Sequence, residues 1–178
     1  MKTKKYSNKM KLKIGCGHKK FKNYINVDLN PKLKPDVIWD IRKKSKFKDN
    51  QFEEIYCNNV LEHIDDFAPA MKEFYRILKK GGVLRIYVPH FSDVFWDIPS
   101  HKRPFSYYTF HHFIKGHEKT EDTEVYFSKI KTRFMFGKRY AFWNYLVEVF
   151  ANKFPKLYET TFLKSLFPCW QIEVELIK

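Results

Sequence analysis

The chain has 178 residues, enough for one domain with a substantial core, and no stretch approaches the ~18 uninterrupted apolar residues of a membrane-spanning helix. Its formal charge of +14 is uneven: residues 1–48 hold 16 Lys and Arg against 3 Asp, whereas residues 49–178 hold 18 against 17 acidic residues. Cys16, Cys57 and Cys169 are odd in number and far apart, with no Cys-x-x-Cys pair, which excludes a disulfide framework or cysteine zinc site and points to a reducing, cytoplasmic setting.

Residues 1–10 are polar and lysine-rich and read as a flexible basic N-terminus. No apolar stretch follows Met1–Lys5, so a secretory signal is not expected. Such a basic segment offers nonspecific contact with anionic partners. Lys11 to Ile14 reads as a first strand running into Gly15-Cys16-Gly17. Residues without a Cβ there let the backbone approach a bound small molecule closely. Tyr24 to Asp28 and Asp36 to Asp40 read as second and third strands, both ending on aspartate, and Glu54 to Asn58 as a fourth. These short apolar runs lack clean alternation, the pattern expected of strands buried on both faces. A carboxylate at the end of a strand beside a glycine turn is placed to accept from ribose hydroxyls, and Asp28 fits that description.

A helix follows, capped by Asp66, with Pro69 in its first turn. Met71, Phe74, Tyr75 and Leu78 form its apolar stripe, Lys79 and Lys80 complement the negative end of its dipole, and Gly81-Gly82 end it. Val83 to Val88 is a fifth strand, stopped by Pro89. Beyond it the spacing predicts a loop over 89–105, a short helix near Ser106–Lys115, a strand over Tyr126–Phe136, a helix from Tyr140 to Lys153, and a last strand from Gln171 to Ile177. The last strand alternates apolar and acidic residues, which suits a position at or near a sheet edge. Of the 33 aromatic residues, 22 lie from Phe91 onward, which suggests a cap or apolar pocket over one edge of the sheet. No ligand spacing links His111, His112 and His117 to an acid or cysteine, so no metal site is expected.

Ile14-Gly15-Cys16-Gly17, Asn26-Val27-Asp28, Asn58-Asn59-Val60-Leu61-Glu62-His63-Ile64 and Leu78-Lys79-Lys80-Gly81-Gly82-Val83-Leu84, in this order, resemble the class I S-adenosylmethionine-dependent methyltransferases. Within them the chain is most similar to the small-molecule group that carries a Leu-Glu-His element. His101-Lys102-Arg103-Pro104-Phe105-Ser106 also resembles a segment after the fifth strand in many relatives. The likeness is strong over residues 11–90 and looser beyond. It implies an α/β, Rossmann-like three-layer sandwich, with a seven-stranded, mostly parallel sheet and one antiparallel strand. It implies a single methyltransferase domain over 11–178, with 93–123 forming the substrate-side loop and short helix.

The resemblance further implies that Gly15, Cys16 and Gly17 line the methionine part of S-adenosylmethionine and that Asp28, with Leu29 beside it, holds the ribose. Asp40 would lie at the adenine edge, Ile41 would pack on the ring, and Asn58, Asn59 and Val60 would flank the cofactor. His63 would contact or buttress that turn, with Glu62 as a structural or orienting group. His90, and second His101, are the candidate bases, because histidine titrates near neutral pH. Phe91, His101 and Arg103 are the candidate acceptor contacts. Two positions depart from the family pattern: Lys13 stands where many relatives carry an acid, and Lys19 where many carry a third glycine. The gap from Gly17 to Asp28 is too short for a full helix, so a loop or single turn must make that connection. The expected activity is methyl transfer to a metabolite, sugar or lipid-linked precursor. The basic first quarter keeps an RNA methyltransferase as an alternative, against which no Asp/Asn-Pro-Pro-Tyr/Phe motif follows the fourth strand. A catalytically silent cofactor-binding scaffold is the third reading.

Overall fold

A computed structural model describes residues 10–116, 125–137 and 141–178. The basic residues 1–9, the 117–124 part of the expected substrate-side segment (His117 included) and residues 138–140 lie outside the described residues. Seven strands, β1 (Lys11–Ile14), β2 (Ile25–Asp28), β3 (Val37–Ile38), β4 (Phe52–Asn58), β5 (Leu78–Pro89), β6 (Lys129–Met135) and β7 (Gln171–Ile177), form one sheet in the order β3-β2-β1-β4-β5-β7-β6. Pairings from β3 through β5 are parallel, while β7 runs antiparallel to both β5 and β6 and is the one reversed strand. The chain winds outward from β1 to β3, then crosses back to β4. The carboxyl ends of β1 and β4 therefore meet at a topological switch point, where open α/β sheets bind ligands.

The two faces of the sheet differ. Leu12, Ile14, Ile55, Cys57, Leu84, Ile86, Val88, Ile172, Val174 and Leu176 form one wholly apolar face, buried in the main core. The helix α1 (Ala68–Ile77) contributes Ala70, Met71, Phe74 and Ile77 to that core. Its start is one residue later than Asp66 would cap: Phe67 holds the cap position without a side-chain bond, while the Asp66 carboxylate accepts from the Ala68 N–H at 2.9 Å. Its end also differs. The chain enters β5 at Leu78, and the register with β4 jumps from Phe52↔Leu78 to Glu54↔Val83. Lys79–Gly82 therefore bulge out of the sheet instead of closing the helix. Gly82 is required there, because a Cβ would stand 2.9 Å from the Lys79 carbonyl oxygen.

The opposite face carries a half-buried ladder rather than a second apolar core. Glu54 takes Lys11 at 2.8 Å, the Tyr24 hydroxyl at 2.9 Å and Arg85 at 3.4 Å, and Arg85 also pairs with Glu175. The Tyr87 hydroxyl donates to Glu173, and the Tyr56 and Tyr87 rings lie 5.2 Å apart. The expectation that these strands are buried on both faces is thus corrected. β1 and β2 do alternate, and Lys13 and Asn26, on the polar side of that alternation, are nevertheless buried.

The free edge of β6 is closed by α2 (Ala141–Lys153). The Asn152 side chain accepts from the Phe134 N–H at 2.8 Å and donates to the Phe134 carbonyl at 3.0 Å, and Glu148 accepts from the Phe136 N–H at 3.1 Å. An edge strand covered in this way cannot pair with another chain. Two short helices follow, α3 (Pro155–Thr160) and α4 (Leu163–Leu166), and Tyr158 joins Phe134, Phe136, Ala151 and Cys169 in a second small core. The helix expected near Ser106–Lys115 is a 3-10 turn over Thr109–Phe113. Among the described residues no helix is long and apolar enough to cross a membrane.

Candidate active site

The turn after β1 opens a cleft of about 420 Å³ at the switch point, lined by Gly15, Gly17, Asp28, Leu29, Asp40, Ile41, Asn59, Val60 and His63, among others. Gly15 and Gly17 both hold the left-handed backbone, at φ 60° and 52°. At Gly15 the demand is double, because a Cβ would meet Val60 Cγ2 at 2.3 Å. One Asp28 carboxylate oxygen accepts from the Gly17 N–H at 2.9 Å and the other from the Asn30 N–H at 3.0 Å. The acid thus fixes the glycine turn and keeps further lone pairs at the cleft. Asp40 is gripped by the Arg42 guanidinium, at 2.9 and 2.7 Å, and by the Arg42 N–H. Those bonds hold its carboxyl below the usual carboxylate range. Asn59 closes the far side at φ 52°, a conformation asparagine tolerates better than most residues.

A second cavity, of about 320 Å³, adjoins the first through Asn59 and is lined by Glu62, Pro89, Ile98, His101, Trp170 and Gln171. The Gln171 side-chain amide donates to Asn59 at 2.8 Å and Asn58 at 3.2 Å, tying the end of β4 to the start of β7. Glu62 is 1% exposed, and burial pushes its carboxyl up to about 7. Its Oε2 has no hydrogen-bond partner among the described residues.

Most of the expected cofactor residues come together at the first cleft. Cys16 does not line it: its N–H donates to the Val27 carbonyl at 2.9 Å, and burial raises its buried thiol above the ordinary value. Asn58 stands one residue back, held by Gln171. Trp39, Arg42 and Ile64 also line the cleft, and sequence reasoning missed them, although Trp39 adjoins an aspartate already singled out.

The acceptor-side expectations fare less well. His90 is corrected as a base: it is 0% exposed, its Nδ1 accepts from the Ser92 N–H, and its Nε2 donates to Glu159 at 3.0 Å. It joins β5 to α3 and has no face toward either cavity. Phe91 packs its ring on His90 at 4.3 Å. Arg103 lies over the Phe67 ring at 4.6 Å, and its buried Nε has no hydrogen-bond partner among the described residues. Neither Phe91 nor Arg103 lines the two cavities. Of the expected acceptor-side residues, His101 alone does.

Strand order and cleft together define the class: a class I S-adenosylmethionine-dependent methyltransferase. The family profile described as "Methyltransferase domain" matches residues 12–86, from β1 into β5, and the chain belongs to this family. An uncharacterised protein of Methanocaldococcus jannaschii is 31% identical, over 84% of this chain and 78% of its own length. A SAM-dependent methyltransferase of Archaeoglobus fulgidus is 16% identical with a TM-score of 0.66, over 98% of this chain and 89% of that one. Phosphoethanolamine N-methyltransferase 2 of Haemonchus contortus, solved with S-adenosyl-L-methionine, is 15% identical with a TM-score of 0.59, over 94% of this chain and 48% of its own. This chain thus spans about half the length of that enzyme.

The cofactor of the family is S-adenosylmethionine. The first cleft fits it through Asp28, whose carboxylate lines the cleft as an anionic acceptor suited to a diol, beside a Gly15–Gly17 turn whose two glycines leave the backbone bare of Cβ atoms.

Proposed function

We propose that the chain transfers a methyl group to a small-molecule acceptor (a metabolite, sugar or lipid-linked precursor) seated in the cavity bounded by Asn59, Glu62, His101, Trp170 and Gln171. The observation that carries this reading is that the two cavities share Asn59 as a common wall. In it, Gly15, Gly17 and Asp28 hold the methionine and ribose parts of the cofactor, with Leu29 beside the ribose. Asp40 and Ile41 take the adenine, and Val60 and His63 close the cleft on the β4 side. When bound, S-adenosylmethionine supplies an activated, electrophilic methyl group. The chain's own work is then positioning and exclusion of water. Gln171 fixes Asn59 between the two compartments, and the hydrogen bond from the Lys102 N–H to the Glu62 carbonyl, at 2.6 Å, holds the His101 segment against the turn after β4. His101 contacts the acceptor, and Glu62 supplies the buried carboxyl side of its pocket. The lysine-rich first 48 residues would add salt-sensitive contacts with anionic partners.

The test pairs two measurements. Calorimetric titration with S-adenosylhomocysteine should show one saturable site. Labelled methyl groups should then pass to members of a panel of small hydroxyl and amine acceptors and not to RNA. Cofactor binding without transfer to any small acceptor, or transfer to RNA alone, would overturn the reading.

A further inference from the structure

Glu62 and His63 belong to the 3-10 turn Leu61–His63 after β4, and His101 belongs to the loop after β5. The fold brings them together: one ligand atom from each lies within 4.8 Å of the other two. The cluster stands on the wall between the compartments, since Glu62 and His101 line the acceptor cavity and His63 lines the cofactor cleft. Two further observations bear on what it holds. The Glu62 carboxylate is buried, and its Oε2 has no hydrogen-bond partner among the described residues. A buried carboxylate stays ionised only beside a paired charge or a bound cation. His63 also has its Nδ1 3.1 Å from the Ser100 carbonyl. Donation there orients the imidazole and leaves the lone pair on Nε2, the second-shell arrangement typical of metal-binding histidines. The Lys102 to Glu62 main-chain bond holds the two segments in register, so the cluster does not depend on side chains alone.

We propose that Glu62, His63 and His101 form a site for one divalent first-row transition metal ion at the boundary of the two cavities. Two imidazoles and one carboxylate favour manganese, iron, cobalt or zinc over the oxygen-seeking magnesium and calcium. Three protein ligands leave coordination positions for water or for an oxygen of the acceptor. An ion so placed lowers the pKa of a coordinated hydroxyl, which suits a nucleophile attacking an activated methyl group. That role rests on the acceptor reading above, whereas binding of the ion does not.

The experiment uses the full chain after chelator treatment, without acceptor. Cobalt(II) is titrated by visible absorption, and manganese(II) and zinc(II) by calorimetry. The expected result is one equivalent bound, with affinity reduced at least tenfold in Glu62→Gln and in His101→Ala. Each variant is checked for its thermal midpoint and for S-adenosylhomocysteine binding, so that unfolding is not mistaken for ligand loss. The His101→Ala variant carries the test if Glu62→Gln does not fold. No binding by the unaltered chain, or equal binding by the folded variants, would overturn the site while leaving methyl transfer standing. Failure of methyl transfer with metal bound would overturn the acceptor reading while leaving the site.

Discussion

Gly15→Ala separates the two demands that the turn after β1 makes on its first residue. The backbone there has φ 60°, and a Cβ would lie 2.3 Å from Val60 Cγ2. A left-handed conformation costs an L-residue about 1–2 kcal/mol. Forcing a methyl into a filled space costs about 1–3 kcal/mol more. Gly17 supplies the control: its φ is 52°, but nothing lies within 4 Å of a Cβ placed there. Gly15→Ala should therefore lose about 2–5 kcal/mol, and Gly17→Ala about 1–2 kcal/mol. At roughly 2–4 °C per kcal/mol for a domain of this size, the first falls by about 4–20 °C and the second by about 2–8 °C. The steric part should be recovered in Gly15→Ala/Val60→Ala, giving a favourable coupling of about 1–3 kcal/mol in a double-mutant cycle. Urea unfolding measures the energies, and S-adenosylhomocysteine titration of the folded variants reads the cleft. Equal losses at Gly15 and Gly17, or no coupling to Val60, would refute the argument, because the turn and the Val60 wall would then yield independently.

Three further outcomes follow from the same contacts. Asp28→Ala removes an ionised acceptor and frees the Gly17 and Asn30 N–H groups. Cofactor-product affinity should fall by about 1.5–3 kcal/mol per lost charged hydrogen bond, and an unchanged calorimetric Kd would exclude the ribose role. His90→Gln should lower the unfolding midpoint, because Glu159 loses its 3.0 Å partner, yet leave the KM for cofactor unchanged below that midpoint; a selective loss of kcat in folded protein would restore His90 as a base. For Glu73, burial opposes the charge, but bonds from Arg76 and Ser45 outweigh it and hold the carboxyl below its ordinary value of 4.5. Its contribution to stability is therefore full above pH 4.5 and lost as pH falls through the lower folded value, so Glu73→Gln should flatten the acid limb of the stability profile.

What could be read from the residues depended on how local its cause is. β1 ends at the Gly15 turn, α1 begins within two residues of Asp66, and β7 spans Gln171–Ile177 as its alternation requires. The Lys79–Gly82 segment was misread because a basic turn followed by paired glycines terminates a helix and permits a bulge equally well. Only the pairing of Leu78 with Phe52 decides between them. His90 was misread for a different reason. Its position after β5 points to the site, but Glu159, from α3, encloses it. The Glu62–His63–His101 cluster and Gln171 were invisible for the same reason. The first needs a loop folded back across a turn, and the second needs the antiparallel register Pro89↔Gln171.

Lys13, one of the two departures from the family pattern, is explained by the short connection after Gly17, whereas nothing in the structure explains the Lys19 side chain. With no helix between β1 and β2, the loop must be held by side chains. Asn26 does this from within β2, accepting from the Phe21 N–H at 2.8 Å and donating to the Phe21 carbonyl at 3.0 Å. Lys13 does it from β1. Its ammonium donates to the Lys19 carbonyl and lies 3.9 Å from the centre of the Phe21 ring, and burial lowers its pKa. It alternates with Leu12 and Ile14 and does not line the cofactor cleft, so its charge is spent on the loop and not set against a sulfonium. The acid of the usual pattern could not make these contacts, because a carboxylate can neither donate to a carbonyl nor sit favourably on an aromatic face. The cleft loses in exchange the positive helix end that commonly follows a glycine turn. Its polar fixing instead falls on Asp28, whose carboxylate both pins the Gly17 N–H and faces the ligand space, so that turn geometry and ligand affinity are coupled through one side chain.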